Sequence, residues 1–309
     1  MSHDATGVVL MAYGGPQRME DVPAFLDAIF GPGRLTEHLL EEITARYRAI
    51  GGGSPLVAIT RRQAEALARR LAEVGRPWPV AAGMRHSAPT VAEAVGELVR
   101  AGCTRLVGCA LAPHASPAST DAYRRALLEA VEGVLEPPAV VLVEGWHTRP
   151  AFLEAWAASV REAWDSVPAD ERDRAAIIFT AHSLPVSVAA GSPYEAQVRE
   201  TIEGVMERVG PRPWRLAWQS QGLRGGDWLM PDLPETFASV AADGYGTVVV
   251  VPVGFVADHV EVLYDLDIDA RRLAEEAGLG FRRAASLNDA PSFIEALADA
   301  VLGVEGAAP

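Results

Sequence analysis

The run Ala175-Ala176-Ile177-Ile178-Phe179-Thr180-Ala181-His182-Ser183-Leu184-Pro185 is apolar as far as Thr180, then delivers a histidine and breaks at a Ser-Leu-Pro turn. A short apolar run bounded by turn residues reads as a strand buried on both faces, the kind that parallel sheets contain. Side chains leaving such strand ends are where open α/β sheets hold ligands and do chemistry. An earlier run, Met11-Ala12-Tyr13-Gly14-Gly15-Pro16, follows an apolar stretch in the same way, so Tyr13 and His182 fall at equivalent strand ends.

Working outward, strands are predicted at 7–11, 80–84, 106–112, 140–143, 175–180, 215–219, 247–253 and 281–284, separated by longer helical patterns. That alternation is the signature of βαβ units. The strands divide four and four, and the halves overlay on one another. The third strands run into Ala112-Pro113-His114-Ala115 and Pro252-Val253-Gly254-Phe255. The fourth are followed by Pro150-Ala151-Phe152-Leu153-Glu154-Ala155 and Pro291-Ser292-Phe293-Ile294-Glu295-Ala296, with Pro, Phe, Glu and Ala matched in place. The predicted fold is α/β: two similar Rossmann-like domains, residues 1–145 and 146–309, each a four-stranded parallel sheet flanked by helices. The active-site cleft lies between them, at the carboxyl ends of both sheets. The C-terminal helix is placed where it can pack back on the first domain.

Composition narrows the partners. A chain of 309 residues suits two domains of roughly 150 each. The net charge of −14, without a block of Lys or Arg, argues against a grip on nucleic acid phosphates. Cys103 and Cys109 alone cannot build a disulfide framework, a four-thiolate zinc site or a Cys-ligated iron–sulfur cluster. With no basic region leading into an apolar leader and no apolar run of about 20 residues, the chain is expected to be cytoplasmic, without integral membrane association. A monomer is the default expectation.

The second informative stretch is Asp258-His259-Val260-Glu261-Val262-Leu263-Tyr264-Asp265-Leu266-Asp267-Ile268-Asp269. Asp258, Glu261, Asp265 and Asp269 are three, four and four apart, which predicts four carboxylates on one face of a helix starting where the strand 247–253 ends. Val260, Leu263 and Leu266 keep the opposite face apolar. The bland alternative is a solvated helix face with Asp258 as its cap. Like charges one turn apart cost stability, however, and steps of roughly 6 Å suit passing protons or a hydrated divalent cation along the row. Hard oxygen ligands beside one imidazole, His182, suit Fe²⁺ or another first-row metal in transit.

Other motifs carry less. Ile50-Gly51-Gly52-Gly53-Ser54-Pro55 follows a helical segment rather than a strand, which argues against a phosphate loop. Dinucleotide, Walker and nucleophile-elbow fingerprints are absent. His259-Val260-Glu261 lacks the Pro-Cys-x-x-Cys partner of a zinc deaminase. His86 and His114 also follow strand ends and either line the cleft or cap a helix.

Taken in order, several segments resemble the ferrochelatase family, enzymes that insert ferrous iron into a porphyrin during haem synthesis. They are Leu10-Met11-Ala12-Tyr13-Gly14-Gly15-Pro16, the stretch from Arg46 through Gly51-Gly52-Gly53-Ser54-Pro55-Leu56, Leu111-Ala112-Pro113-His114, Thr180-Ala181-His182-Ser183-Leu184-Pro185, Trp218-Gln219-Ser220, and Pro252-Val253-Gly254-Phe255 with Asp258-His259-Val260-Glu261. The resemblance covers nearly the whole chain. It implies that His182 and Glu261 are the catalytic and metal-handling pair on one face of the macrocycle, with Asp265 and Asp269 as a relay behind them. It implies that Tyr13 approaches from the other face and that Arg46, Tyr47, Ser54 and Tyr123 hold porphyrin propionates, as in the short bacterial members. Arginine, hydroxyl and phenol groups suit carboxylates.

Two departures stand out. Those members usually carry an arginine where this chain has Phe30, so that either Arg34 substitutes or one propionate contact is lost, and the carboxy-terminal extension bearing cysteines seen in other members is missing. The resemblance therefore implies no iron–sulfur cluster and no permanently bound cofactor, with Fe²⁺ as substrate. The short chain, the expected lack of a membrane anchor and Tyr13 resemble the enzymes that metallate coproporphyrin III, which is therefore the expected substrate over protoporphyrin IX. The alternatives are a sirohydrochlorin cobalt or iron chelatase and, outside enzymes, a carrier of haem or another tetrapyrrole.

Overall fold

A computed structural model describes residues 5–222 and 226–306. Its strands are β1 (Thr6–Ala12), β2 (Val80–Met84), β3 (Arg105–Ala110), β4 (Ala139–Val143), β5 (Ala175–His182), β6 (Trp214–Gln219), β7 (Thr247–Val251) and β8 (Gly280–Arg283). They form two parallel four-stranded sheets of identical order, β2-β1-β3-β4 and β6-β5-β7-β8. Two Rossmann-like α/β units with helices on both sheet faces result.

Strand ends differ from the predicted ones for physical reasons. β7 stops at Val251 because Pro252 has no N–H to give to a ladder. β5 runs two residues further than predicted, to His182, because Ala181 and His182 pair with Trp218 and Gln219 of β6. His182 is thus fixed in the last rung of a ladder.

Alternation along the strands sorts side chains between cores. Val8 and Leu10 of β1, with Ile177 and Phe179 of β5, belong to one large core that spans both halves. Val9 and Met11 face a core outside the first sheet, while Ala176 and Ile178 face another outside the second. Between the sheets lie the helices Leu56–Glu73, Pro150–Asp165 and Pro291–Leu302. Trp146, Phe152, Trp156 and Phe293 are buried there, each contributing roughly 2 to 3 kcal/mol of transfer free energy. The helix Pro291–Leu302 packs against both Pro150–Asp165 and Leu56–Glu73. Ion pairs from Arg62 to Asp289 and from Arg70 to Glu295 line the latter contact. Among the described residues no helix is long and apolar enough to cross a membrane.

The Gly51-Gly52-Gly53 run is a turn, with Gly51 and Gly52 at φ +105° and +98°. A Cβ on Gly53 would stand 2.3 Å from the Gln17 carbonyl oxygen, so only glycine lets this turn press against the loop after β1. Ser54 N–H then donates to Pro16 O at 2.7 Å, which sets Ser54 beside that loop.

Candidate active site

The carboxyl ends of β5, β6 and β7 assemble one wall of the cleft. After β7 the backbone folds over the end of β5: Gly254 N–H donates to Thr180 O at 3.0 Å. A Cβ on Gly254 would lie 2.7 Å from the Ala181 Cα, so the crossing needs glycine. That crossing carries the chain to His259, whose Nδ1 accepts from the Glu261 N–H at 3.2 Å and caps the short helix Val260–Leu263. Glu261 Oε2 then stands 3.0 Å from His182 Nδ1.

The pair is strongly coupled. Burial opposes the charge on Glu261, but the attraction and hydrogen bond of His182, with His259 and Arg46 nearby, hold its carboxyl down at about 2. Burial opposes the imidazolium of His182, yet Glu261 and, further off, Asp265 outweigh it and push its pKa up. His259 moves the other way, pulled down chiefly by burial. An anion therefore sits beside an imidazole of raised basicity, while Nε2 of His182 has no partner among the described residues. Such a pair can take up a proton or offer a nitrogen and an oxygen to a metal ion.

Behind Glu261 the acidic row departs from the predicted single helix face. The helix Val260–Leu263 passes into a π-helical stretch, Asp265–Ala270, and then into the helix Arg271–Glu276. Asp269 N–H reaches back five residues to Tyr264 O at 3.0 Å. Asp258 lies before the helix and turns away from the row, accepting from Ser286 at 2.7 Å and from Asn288 at 2.9 Å. Arg283 grips Asp267 with two bonds of 2.6 and 2.9 Å and reaches Asp258 at 3.5 Å. Asp265 faces the site: the Ser220 hydroxyl donates to it at 2.5 Å and Arg46 lies 3.6 Å away. Burial and the charge of Glu261 raise the Asp265 carboxyl to about 6, against the opposing pull of Ser220 and Arg46. Asp269 is more exposed and pairs with Arg272 at 2.7 Å.

The facing wall comes from the first half. Tyr13, just past β1, is partly exposed, with its ring 4.6 Å from His86 and 6.4 Å from Phe25. The Arg85 guanidinium lies 5.7 Å from that ring and 5.4 Å from the ring of Tyr123. Burial, aided by Glu261 and opposed by Arg85, raises the Tyr13 phenol to about 12. Burial and Glu261 raise the Tyr47 phenol as well. Residues of the two halves thus share one electrostatic neighbourhood. Arg46 joins them physically, since it pairs with Glu42 at 2.8 Å while reaching Asp265. A cavity of about 600 Å³ opens beside this wall, lined by Gly15, Pro16, Arg18, Phe25, His86 and Ser87. Its size suits a small-molecule site.

The structure brings Tyr13, Arg46, Tyr47, His182, Glu261 and Asp265 together. Ser54 is buried, its hydroxyl accepting from Leu56 N–H at 3.3 Å, and Tyr123 is buried with Arg85 across its ring. Arg34 folds over Gly31, while Phe30 is partly exposed. His86 lines the cleft, but His114 is buried against Thr201 at 2.9 Å, where burial and His147 lower its pKa to about 3. Cys103 and Cys109 are buried and free, and burial lifts the Cys109 thiol to about 12. Sequence reasoning assigned no role to Arg85, Gln219, Ser220 or Arg283. Arg85, just past β2, and Gln219, the last residue of β6, stand at equivalent ends of the second strands, so carrying the duplication one strand further singles them out.

The sequence profile of the Ferrochelatase family matches residues 5–304. This chain belongs to the ferrochelatase family. The family likeness is close to full length in individual relatives. The coproporphyrin III ferrochelatase of Geobacillus sp. (strain WCH70) is 38% identical over 307 residues, covering 98% of each chain. The ferrochelatase of Herpetosiphon aurantiacus is 37% identical over 300 residues, 96% of this chain and 98% of that one. Among solved structures, SirB from Bacillus subtilis with Fe³⁺ superposes with a TM-score of 0.61 over 98% of each chain at 11% identity, a likeness of fold alone. Membership makes the protein an enzyme of haem biosynthesis that inserts metal into a porphyrin, and the carrier alternative falls away.

Proposed function

We propose that the protein inserts Fe²⁺ into coproporphyrin III, with His182 and Glu261 as the residues that meet the metal and the pyrrole protons. The observation that carries this reading is the 3.0 Å contact between His182 Nδ1 and Glu261 Oε2 at the mouth of the cleft. Insertion requires two N–H protons to leave as a dehydrated Fe²⁺ enters. Glu261, anionic down to about pH 2, raises the basicity of His182, which makes its neutral imidazole the stronger acceptor for a pyrrole proton. Asp265, with its carboxyl near 6, is the next acceptor along the row, and Asp269 leads to solvent. Because metal and protons compete for the same groups, the pair titrates as a unit.

Tyr13 closes the opposite face of the ring. Arg46, Tyr47, Ser54 and Tyr123 receive the carboxylates, Arg46 with its planar fork, and its buried Nε lacks a partner in the described structure. Coproporphyrin III is favoured over protoporphyrin IX by the relative of that name, which matches along 98% of this chain. The test is an anaerobic insertion assay with Fe²⁺ and the two porphyrins side by side. Faster turnover of coproporphyrin III is the expected result, and preference for protoporphyrin IX overturns the substrate. His182→Ala is expected to lower insertion at least about a hundredfold while porphyrin still binds; near-normal turnover refutes its role.

A further inference from the structure

We infer that Gln219 and Ser220, at the end of β6, are the positioning residues of the metal-handling wall, holding Glu261 and Asp265 in register with His182. The inference rests on the reading of that wall as the place where Fe²⁺ enters. Gln219 is buried and pairs with His182 in the last rung of the β5–β6 ladder, where the Ser183 N–H donates to Gln219 O at 2.7 Å. Its side-chain Nε2 donates to the Glu261 carbonyl at 2.7 Å, anchoring the first turn that carries the carboxylate. The next residue reaches the next acid: Ser220 Oγ donates to Asp265 Oδ2 at 2.5 Å. One dipeptide therefore touches the backbone beside His182, the backbone of Glu261 and the side chain of Asp265.

The backbone of Ser220 points the same way. It sits at φ +57°, a left-handed conformation shared by one other non-glycine residue among those described, Asn288. Glycine is the default at such a position and serine seldom adopts it. A strained serine whose hydroxyl is fully engaged is held for that hydroxyl, which glycine could not supply. The equivalent strand end in the first half presents Arg85, whose guanidinium lies over tyrosine rings, so the carboxylate clip belongs to the second half alone. Partners of this kind orient groups that handle metal, and their loss typically weakens metal affinity about tenfold to a hundredfold.

The test compares Ser220→Gly, Ser220→Asn and the unaltered enzyme in anaerobic Fe²⁺ insertion, with KM measured separately for Fe²⁺ and for coproporphyrin III. Ser220→Gly removes the hydroxyl and relieves the left-handed strain, so its melting temperature is expected to equal or exceed that of the unaltered protein. Its KM for Fe²⁺ is expected to rise about tenfold or more while the porphyrin KM stays within about twofold. Ser220→Asn tolerates the same backbone and keeps a donor, and it is expected to recover most of the loss. An unchanged KM for Fe²⁺ in Ser220→Gly overturns the inference, as does an equal rise in both constants or an asparagine variant no better than glycine. A lower melting temperature for Ser220→Gly also overturns it, by making Ser220 a strut of the fold. Failure of the unaltered enzyme to insert Fe²⁺ into either porphyrin sinks the underlying reading instead.

Discussion

Asp265→Asn is expected to make the protein more stable and the enzyme worse, with the stability gain confined to one side of a pH window. The Asp265 side chain is largely buried, and its carboxyl is raised from 3.8 to about 6, first by burial and then by the charge of Glu261. A carboxyl whose pKa is higher in the folded chain favours folding when protonated and opposes it when ionised. Below pH 3.8 acid and amide are both neutral in either state, so the two proteins match. As pH climbs to about 6 the unfolded chain ionises before the folded one, and the penalty on the native carboxylate grows until both are ionised. At about 1.4 kcal/mol for each pH unit, the gap between 3.8 and about 6 corresponds to roughly 3 kcal/mol above the window. The pull of Arg46, 3.6 Å away, is already contained in that value, so an amide that keeps an acceptor for Ser220 gains roughly 3 kcal/mol above the window. Urea unfolding of the two proteins on either side of the window reads this directly, alongside anaerobic insertion. Equal stability above the window, or a gain independent of pH, refutes the account of Asp265 as a carboxylate held at an energetic loss for the reaction.

Two further expectations concern the scaffold. Arg283→Met removes both bonds to Asp267 and the contact with Asp258, leaving two half-buried carboxylates without their cation, and is expected to destabilise by about 3 kcal/mol in denaturant unfolding; a change near zero would show the network to be ornamental. Gly53→Ala places a Cβ 2.3 Å from the Gln17 carbonyl oxygen and is expected to lower stability by about 1 to 3 kcal/mol, measured by thermal unfolding, and a neutral result would mean that the turn yields freely.

The strands were legible because parallel sheets buried on both faces leave continuous apolar runs such as Ala175 to Phe179, and the duplication was legible because the halves repeat their strand ends. The His182–Glu261 meeting was within reach of the sequence, since both follow ends of neighbouring strands. The shape of the acidic row was not. Spacing of three and four fits an α-helix whether or not the chain forms one, and here the register is shifted by the π-helical stretch between Asp265 and Ala270. What turns Asp258 away from the row are Ser286 and Asn288, with Arg283 of β8 at 3.5 Å, residues that no local pattern connects to it. Ser220 stood in a segment that carries the family resemblance, but its role was not legible, because one polar residue after a strand is ordinary until its φ and its partner are known.

A symmetric scaffold has been given two chemically opposite walls, and the substrate proposed above explains why. A porphyrin bearing carboxylates at its rim and receiving a cation at its centre needs positive potential at the edge and negative potential over the ring, separated by only a few ångströms. The first half supplies the cations, Arg85 beneath Tyr13 and Tyr123 and Arg46 at the rim, while the second supplies Glu261 and Asp265. Arg46 is the seam, paired to Glu42 at 2.8 Å and to Asp265 at 3.6 Å. Its charge lowers the Asp265 pKa, so under the proposed function a propionate that drew Arg46 away from Asp265 would leave Asp265 the stronger base. Seating the anionic edge of the ring would then be coupled to preparing a proton acceptor behind Glu261, in the direction set by the sign of the Arg46 interaction.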